Sequence, residues 1–319
     1  MGDQQRTSRW PARLHVVTGK GGTGKTSVAA ALALGLAEGG RRVLLVEVEG
    51  RQGIAQLFGV EPLPYKELRI AQVPGGGEVR ALAVDAEEAL LEYLEMFYRL
   101  GAAGRALRKV GAIDFATTIA PGLRDVLLTG KVKESTTRAR DGRRVYDAVV
   151  LDAPPTGRIG RFLNVTAETA RLAKVGPIKT QSEGVASLLR SPITSVHVVT
   201  LLEEMPVQES LDAIAELRTL DISIGRIILN GVRPPLLSES KVTKAELKRG
   251  LIAAGLPSDV GTVAVLQDEA KAHLTRRGLE ESLRAELAEL GLPMVELPLL
   301  ARGVDRDGLD ALAEALMGD

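Results

Sequence analysis

Residues 14–37 read LHVVTGKGGTGKTSVAAALALGLA, and no other stretch of the chain constrains the fold as tightly. A short run of buried-strand character ends in Gly19-Lys20-Gly21-Gly22-Thr23-Gly24-Lys25-Thr26, after which an Ala/Leu-rich helical pattern begins. These eight residues satisfy G-x-x-x-x-G-K-[ST] in the strand–loop–helix context that the spacing requires. Glycines at 19, 21, 22 and 24 leave no Cβ in the way of backbone N–H groups that curl around phosphate oxygens. The helix that follows adds the partial positive charge of its N-terminus. In such a loop Lys25 bridges the β- and γ-phosphates and Thr26 sets its hydroxyl on Mg²⁺. Thr23 and Ser27 complete the expected nucleotide-binding set, and the ligands this predicts are ATP and Mg²⁺.

Beyond this loop, short β-rich runs alternate with helical patterns. That alternation predicts an α/β fold of the P-loop NTPase kind, a mostly parallel sheet with helices on both faces. Strands are predicted at 14–18, 42–48, 79–85, 146–152, 194–202, 225–230 and 294–299, as apolar runs suited to burial on both sides. Residues 1–12 read as a flexible tail and 13–319 as a single domain. The interval between Asp85 and Tyr146 is too long and too helical for a simple crossover. It predicts an inserted helical subdomain from about 86–140, joined by helices over 158–191. Leu90, Leu94 and Phe97 share one helix face beside Leu91 and Tyr93. That face either receives a hydrophobic protein client or partner, or packs against the other helices of the subdomain.

Composition narrows the function. Lys plus Arg and Asp plus Glu both number 41 in 319 residues, so the net charge is zero. Bulk attraction to nucleic acid or anionic lipid has no support from that balance. Cysteine is absent, which excludes disulfides and thiolate metal sites. His15, His197 and His273 offer no metal-ligand spacing and read as structural. The N-terminal stretch MGDQQRTSRWPAR is polar, and no apolar run approaches the roughly 18 residues needed to cross a bilayer. A cytoplasmic protein without a direct membrane anchor is the expectation.

A phosphate loop of this kind needs a second carboxylate for the magnesium shell, at the end of a neighbouring strand. YDAVVLDAPPTGR (146–158) supplies Asp152, while Asp147 reads as a cap on the strand's start. Pro154, Pro155 and Gly157 then form a stiff, irregular loop suited to sensing a γ-phosphate.

Several of these segments carry a family resemblance. The lysine directly after the first loop glycine, GKGGTGKT, resembles the deviant Walker A motif of dimeric ATPases related to cell-division and plasmid-partition regulators. DAPPTGRIGRFL (152–163) looks like DTAPTGHTLR, the switch II segment of the arsenical-pump and guided-entry ATPases, the latter carrying tail-anchored membrane proteins. RIILNGV (226–232) is similar to that family's strand whose asparagine contacts adenine, here Asn230. VELPLLARGVDRDGLDAL (295–312) resembles its nucleotide-closing loop and last helix, which brings Pro298 and Leu299 to the nucleotide. The likeness implies a Mg-ATP-hydrolysing dimer whose nucleotide state opens and closes its helical subdomains around a hydrophobic client or partner. It also implies a role for Lys20, reaching across the dimer interface to the phosphates of the partner's nucleotide.

The chain departs from that pattern at switch I. The family reads LLVSTDPAHSLSDAFG, whereas Leu44 to Gly59 here read LLVEVEGRQGIAQLFG. Glu49 stands where the aspartate orienting the attacking water would be, one methylene longer. Either Glu49 is the catalytic base or water-positioning group, with Gln52 assisting, or hydrolysis is slow and the protein is a nucleotide-dependent clamp or assembly module. Arg158 replaces the switch II histidine, to pair with phosphate, to pair with a partner's carboxylate, or to remain a surface charge. Without cysteine, arsenite has no soft ligand and the C-x-x-C zinc clamp of eukaryotic guided-entry dimers is missing. Five methionines and 3% aromatics argue against a large promiscuous client groove. EVEGRQG and GGTGKT resemble the actinobacterial branch, commonly encoded as adjacent pairs. That implies a heterodimer with a paralogous ATPase, and a homodimer stays open. A positioning ATPase acting on membrane or DNA is the alternative class, and the acidic segment DRDGLDALAEALMGD speaks against it.

Overall fold

The computed structural model describes residues 9–98, 121–164, 176–237 and 242–318. Its strands are β1 (Leu14–Gly19), β2 (Arg42–Glu47), β3 (Leu68–Gln72), β4 (Glu78–Ala83), β5 (Ala139–Arg140), β6 (Arg143–Arg144), β7 (Ala148–Asp152), β8 (Thr194–Thr200), β9 (Ile224–Val232) and β10 (Met294–Pro298). The first helices are α1 (Lys25–Ala37), α2 (Gly53–Phe58), α3 (Ala86–Tyr98), α4 (Pro121–Thr137) and α5 (Thr156–Leu163). Then come α6 (Pro177–Leu189), α7 (Glu204–Thr219), α8 (Lys244–Ala253), α9 (Val260–Ala288) and α10 (Arg306–Met317).

Eight strands form one sheet in the order β10-β9-β8-β1-β7-β2-β4-β3. Every pairing is parallel except that of the edge strand β3 with β4. All seven predicted strands are present, and β3 is an addition. Its residues LRIAQ are mostly exposed, so it lacks the apolar run that marks the central strands. The other addition is the hairpin β5–β6, whose turn residues Asp141 and Gly142 both have positive φ (51° and 75°). Asp-Gly is the pair that such a two-residue turn favours.

Successive residues of the central strands feed opposite faces. Leu14 and Val16 of β1, with Leu44 and Val46 of β2, pack under α3, α4, α5, α6 and α7. Val17, Val43 and Leu45 face the other way, against α1, α2 and α10. Helix α1 is buried almost all round, and the Cβ that Gly35 lacks would occupy the place of the Met317 side chain of α10. The outer strands β8 and β9 add a third cluster, closed by α7 and by Leu283 and Leu287 of α9.

One expectation changes here, and one open choice is decided in favour of packing. The tail predicted over 1–12 does not include Trp10 and Ala12, which are both buried; residues 1–8 lie outside the described residues. The Trp10 indole donates to the carbonyl of Leu316 at 3.3 Å, lies edge-on to His15 and His197, and is covered by the Arg226 guanidinium 5.0 Å from its centre. The apolar face of α3 is core at Leu90 and Tyr93, with Leu91 and Leu94 packed against the same cluster. The Phe97 side chain lies outside the described residues, as do 99–120 and 165–175 of the predicted subdomain. Among the described residues no helix is long and apolar enough to cross a membrane.

Candidate active site

In parallel α/β sheets, ligands gather at the carboxyl ends of the strands. The carboxyl ends of β1, β2, β7, β9 and β10 and the loops that follow them carry the residues singled out in the sequence, so the topology brings them to one rim.

The loop after β1 is shaped by glycine where a side chain has no room. Gly22 and Gly24 have φ of 89° and 87°, the left-handed region. A Cβ on Gly19 would collide with the Val199 carbonyl, and one on Gly24 with the Asn230 amide. Thr23 closes the turn, its backbone N–H and hydroxyl both donating to the Lys20 carbonyl at 3.3 and 2.9 Å. Lys25, Thr26 and Ser27 form the first turn of α1, with Lys25 buried. Gly21 is exposed with open space around it.

Asp152 ends β7 beside the loop. Its Oδ2 accepts the Thr26 hydroxyl at 2.7 Å, while its Oδ1 is buried with no hydrogen-bond partner. Burial pushes the Asp152 carboxyl up to about 6, opposed by Thr26 and Lys25 and reinforced by Glu47 and Glu49. An orphaned carboxylate oxygen next to a hydroxyl and a lysine fits an Mg²⁺–phosphate ligand, whose charge would offset that cost. Asp147, at the other end of the strand, accepts the Arg42 N–H at 2.8 Å and ties the starts of β7 and β2 together, as a cap should.

Asn230, at the end of β9, donates to the Thr23 carbonyl at 2.8 Å, so it braces the phosphate loop from the side. Pro298 pairs with Val232, and the exposed Leu299 donates its N–H to the Val232 carbonyl at 2.9 Å. These three residues lie together at the ends of β9 and β10.

Switch I follows β2. Glu49 is mostly shielded, its carboxylate 3.8 Å from Arg51 and 3.5 Å from Arg158. Arg158 thus meets a carboxylate of its own chain, and the contact joins switch I to switch II. Gln52 does not assist Glu49. Its side-chain amide donates to the Leu63 carbonyl at 3.1 Å and accepts the Leu63 N–H at 2.7 Å. In switch II the Pro154 carbonyl accepts the Thr18 hydroxyl at 2.7 Å, which fixes that loop to β1. Lys20 points to α7 and pairs with Glu209 at 2.5 Å, and the second oxygen of Glu209 accepts the Thr156 hydroxyl at 3.2 Å.

Two acids were missed by sequence reasoning. Glu47 was legible as the one charge inside the apolar run VLLVEV, whereas Glu209 sits in an ordinary amphipathic helix and gives no signal. His15 and His197 are core residues, their ring nitrogens 3.1 Å apart, and no group of three His, Cys, Asp or Glu able to hold a metal occurs among the described residues.

Residues 12–190 match the family described as Anion-transporting ATPase. ATPase BagA of Mycobacterium tuberculosis is 54% identical over 321 residues, spanning 96% of this chain and 94% of that protein. The chain belongs to the anion-transporting ATPase family. More distant relatives include an arsenical pump-driving ATPase of Escherichia coli, 26% identical over 264 residues that span 76% of this chain and 44% of that protein. ATPase GET3 of Kluyveromyces lactis is 25% identical over 259 residues, spanning 70% of this chain and 72% of that protein. These names place ATPase activity, and with it nucleotide binding, at the level of the family.

Proposed function

We propose that this chain binds and hydrolyses Mg-ATP as one half of a dimer, formed with a second copy or a paralogous ATPase, and that its nucleotide state controls closure of the pair. The observation that carries the reading is the buried, orphaned Asp152 Oδ1 beside the Thr26 hydroxyl, beneath a loop of left-handed glycines. Bound Mg²⁺ would supply charge neutralisation at the β- and γ-phosphates. Lys25 holds the same phosphates from the loop side, and the N–H groups of residues 21–26 cradle them. Asn230, Pro298 and Leu299 flank the base. Glu49 orients the attacking water once it is released from Arg51 and Arg158, which it meets at 3.8 and 3.5 Å.

Lys20 leaves Glu209 when a partner's phosphates arrive, which links closure to nucleotide. The lobe built on α3, α4 and α6 is the part that moves against a hydrophobic client or partner protein. Because Leu90 and Tyr93 are core, such a surface draws on other residues of the lobe. A second reading, an assembly module with little hydrolysis, is favoured by the engagement of the Glu49 carboxylate with two arginines. Single-turnover hydrolysis of wild type against Glu49→Gln separates the two. The proposed role predicts a rate loss of about a hundredfold, in the range of general base catalysis. Equal rates would remove Glu49 from the chemistry.

A further inference from the structure

We propose that Glu47 is a positioning residue for hydrolysis, its carboxylate setting the switch I turn that aims Glu49. The inference rests on the role of Glu49 given above. Glu47 ends β2, in register with Asp152 on β7, and is only 2% exposed. One of its oxygens accepts the Gln52 N–H at 2.5 Å and the other accepts the Ile54 N–H at 3.2 Å. These donors flank Gly53, and Gln52 sits at φ 55°, a left-handed conformation that a non-glycine residue keeps only when its surroundings impose it.

The turn from Glu49 to Gln52 is therefore pinned at both ends. At one end β2 holds it by strand pairing. At the other the Glu47 carboxylate reaches around and grips the backbone, while the Gln52 side chain is bound to Leu63. A buried carboxylate in register with Asp152 is an unusual way to end a strand, since an acid in such a place must have its oxygens hydrogen-bonded. Only a carboxylate has two oxygens to take both N–H groups, which gives an acid a use where an apolar residue would pack at lower cost.

The test is Glu47→Gln, which leaves one acceptor oxygen for two donors. Hydrogen exchange followed by mass spectrometry should show the amides of Gln52 and Ile54 exchanging about tenfold faster, an effect expected from one lost hydrogen bond. The single-turnover rate should fall about tenfold or more, while Mg-ATP affinity by calorimetry changes by less than about twofold. In a Glu49→Gln background the same substitution should cost no further rate, because the turn then carries nothing to aim. Unchanged amide exchange overturns the proposal, as does an equal rate loss in both backgrounds. A rate loss in Glu49→Gln with none in Glu47→Gln overturns the positioning role alone. Equal rates for wild type and Glu49→Gln overturn the Glu49 reading on which it rests. Should Glu47→Gln fail to fold, Glu47→Asp keeps both oxygens on a shorter stem and carries the same comparison.

Discussion

Two histidines show how much a single buried group can weigh. His15 and His197 stand on neighbouring strands, fully buried, with Trp10 edge-on to both rings. Burial pushes His15 down to about 3, with a hydrogen bond involving the Ala12 backbone opposing and Arg41 adding. Burial likewise holds His197 well below the ordinary histidine value, helped by His15 and Arg226. Both stay neutral in the folded state, so the unfolded chain takes up protons first as the pH falls below about 6.5. Their contribution is fully present above that pH and is lost progressively toward about pH 3. Urea melts at pH 7.5, 6.5, 5.5 and 5.0 should show midpoints falling steadily below pH 6.5, and constant midpoints would contradict the buried neutral pair. At this scale the phosphate site was readable because G-x-x-x-x-G-K-[ST] fixes spacing and chemistry together. Asp152 was readable because a charge ends an apolar strand. Glu47 obeys the same rule yet was passed over, since its partners are backbone N–H groups that no side-chain motif displays. The Gln52 side chain was misjudged because its partner, Leu63, lies across a loop that has no periodicity.

Among the elements, the phosphate loop, α5 and α7 meet at one ion pair. Lys20 and Glu209 are about one-third exposed, at 30% and 36%. The hydrogen bond from Lys20 holds the Glu209 carboxyl below its ordinary value, with the Thr156 hydroxyl adding to it. A pair so exposed contributes on the order of 0.2–1 kcal/mol, small beside what a phosphate offers a lysine. In the proposed cycle, such a latch would hold Lys20 at rest and yield when nucleotide arrives across a dimer interface. Replacing Glu209 by Gln should strengthen Mg-ATP-dependent association by about 1.4- to fivefold, the equilibrium equivalent of that energy. Sedimentation velocity over a protein dilution series measures it, and an unchanged association constant would show that the latch does not restrain Lys20. The central strands were legible because parallel strands buried on both faces read as continuous apolar runs. β3 was not, because an exposed antiparallel edge needs no such run, and the hairpin β5–β6 was overlooked although Asp141-Gly142 is its turn signal.

Across the whole molecule, the sheet sets the candidate nucleotide rim, and Trp10 and α10 pack behind it. Trp10 reaches α10 through Leu316, some 306 residues away, and α10 packs on α1, the helix that begins at Lys25. Trp10 is thereby part of the packing behind α1. No local pattern in MGDQQRTSRWPAR foretells this, because the indole's partners come from β1, β8, β9 and α10. What integrates the molecule is the expectation that Asp152, under-satisfied in the chain alone, is completed by Mg-ATP. Titration calorimetry of ATP into wild type and Asp152→Asn, each with Mg²⁺ and with EDTA, tests that directly. Wild type should bind ATP at least about tenfold more tightly with Mg²⁺, and Asp152→Asn should bind with little difference between the two conditions. No binding by wild type in Mg²⁺, or equal affinity in Mg²⁺ and EDTA, would contradict a magnesium–nucleotide site built on Thr26 and Asp152.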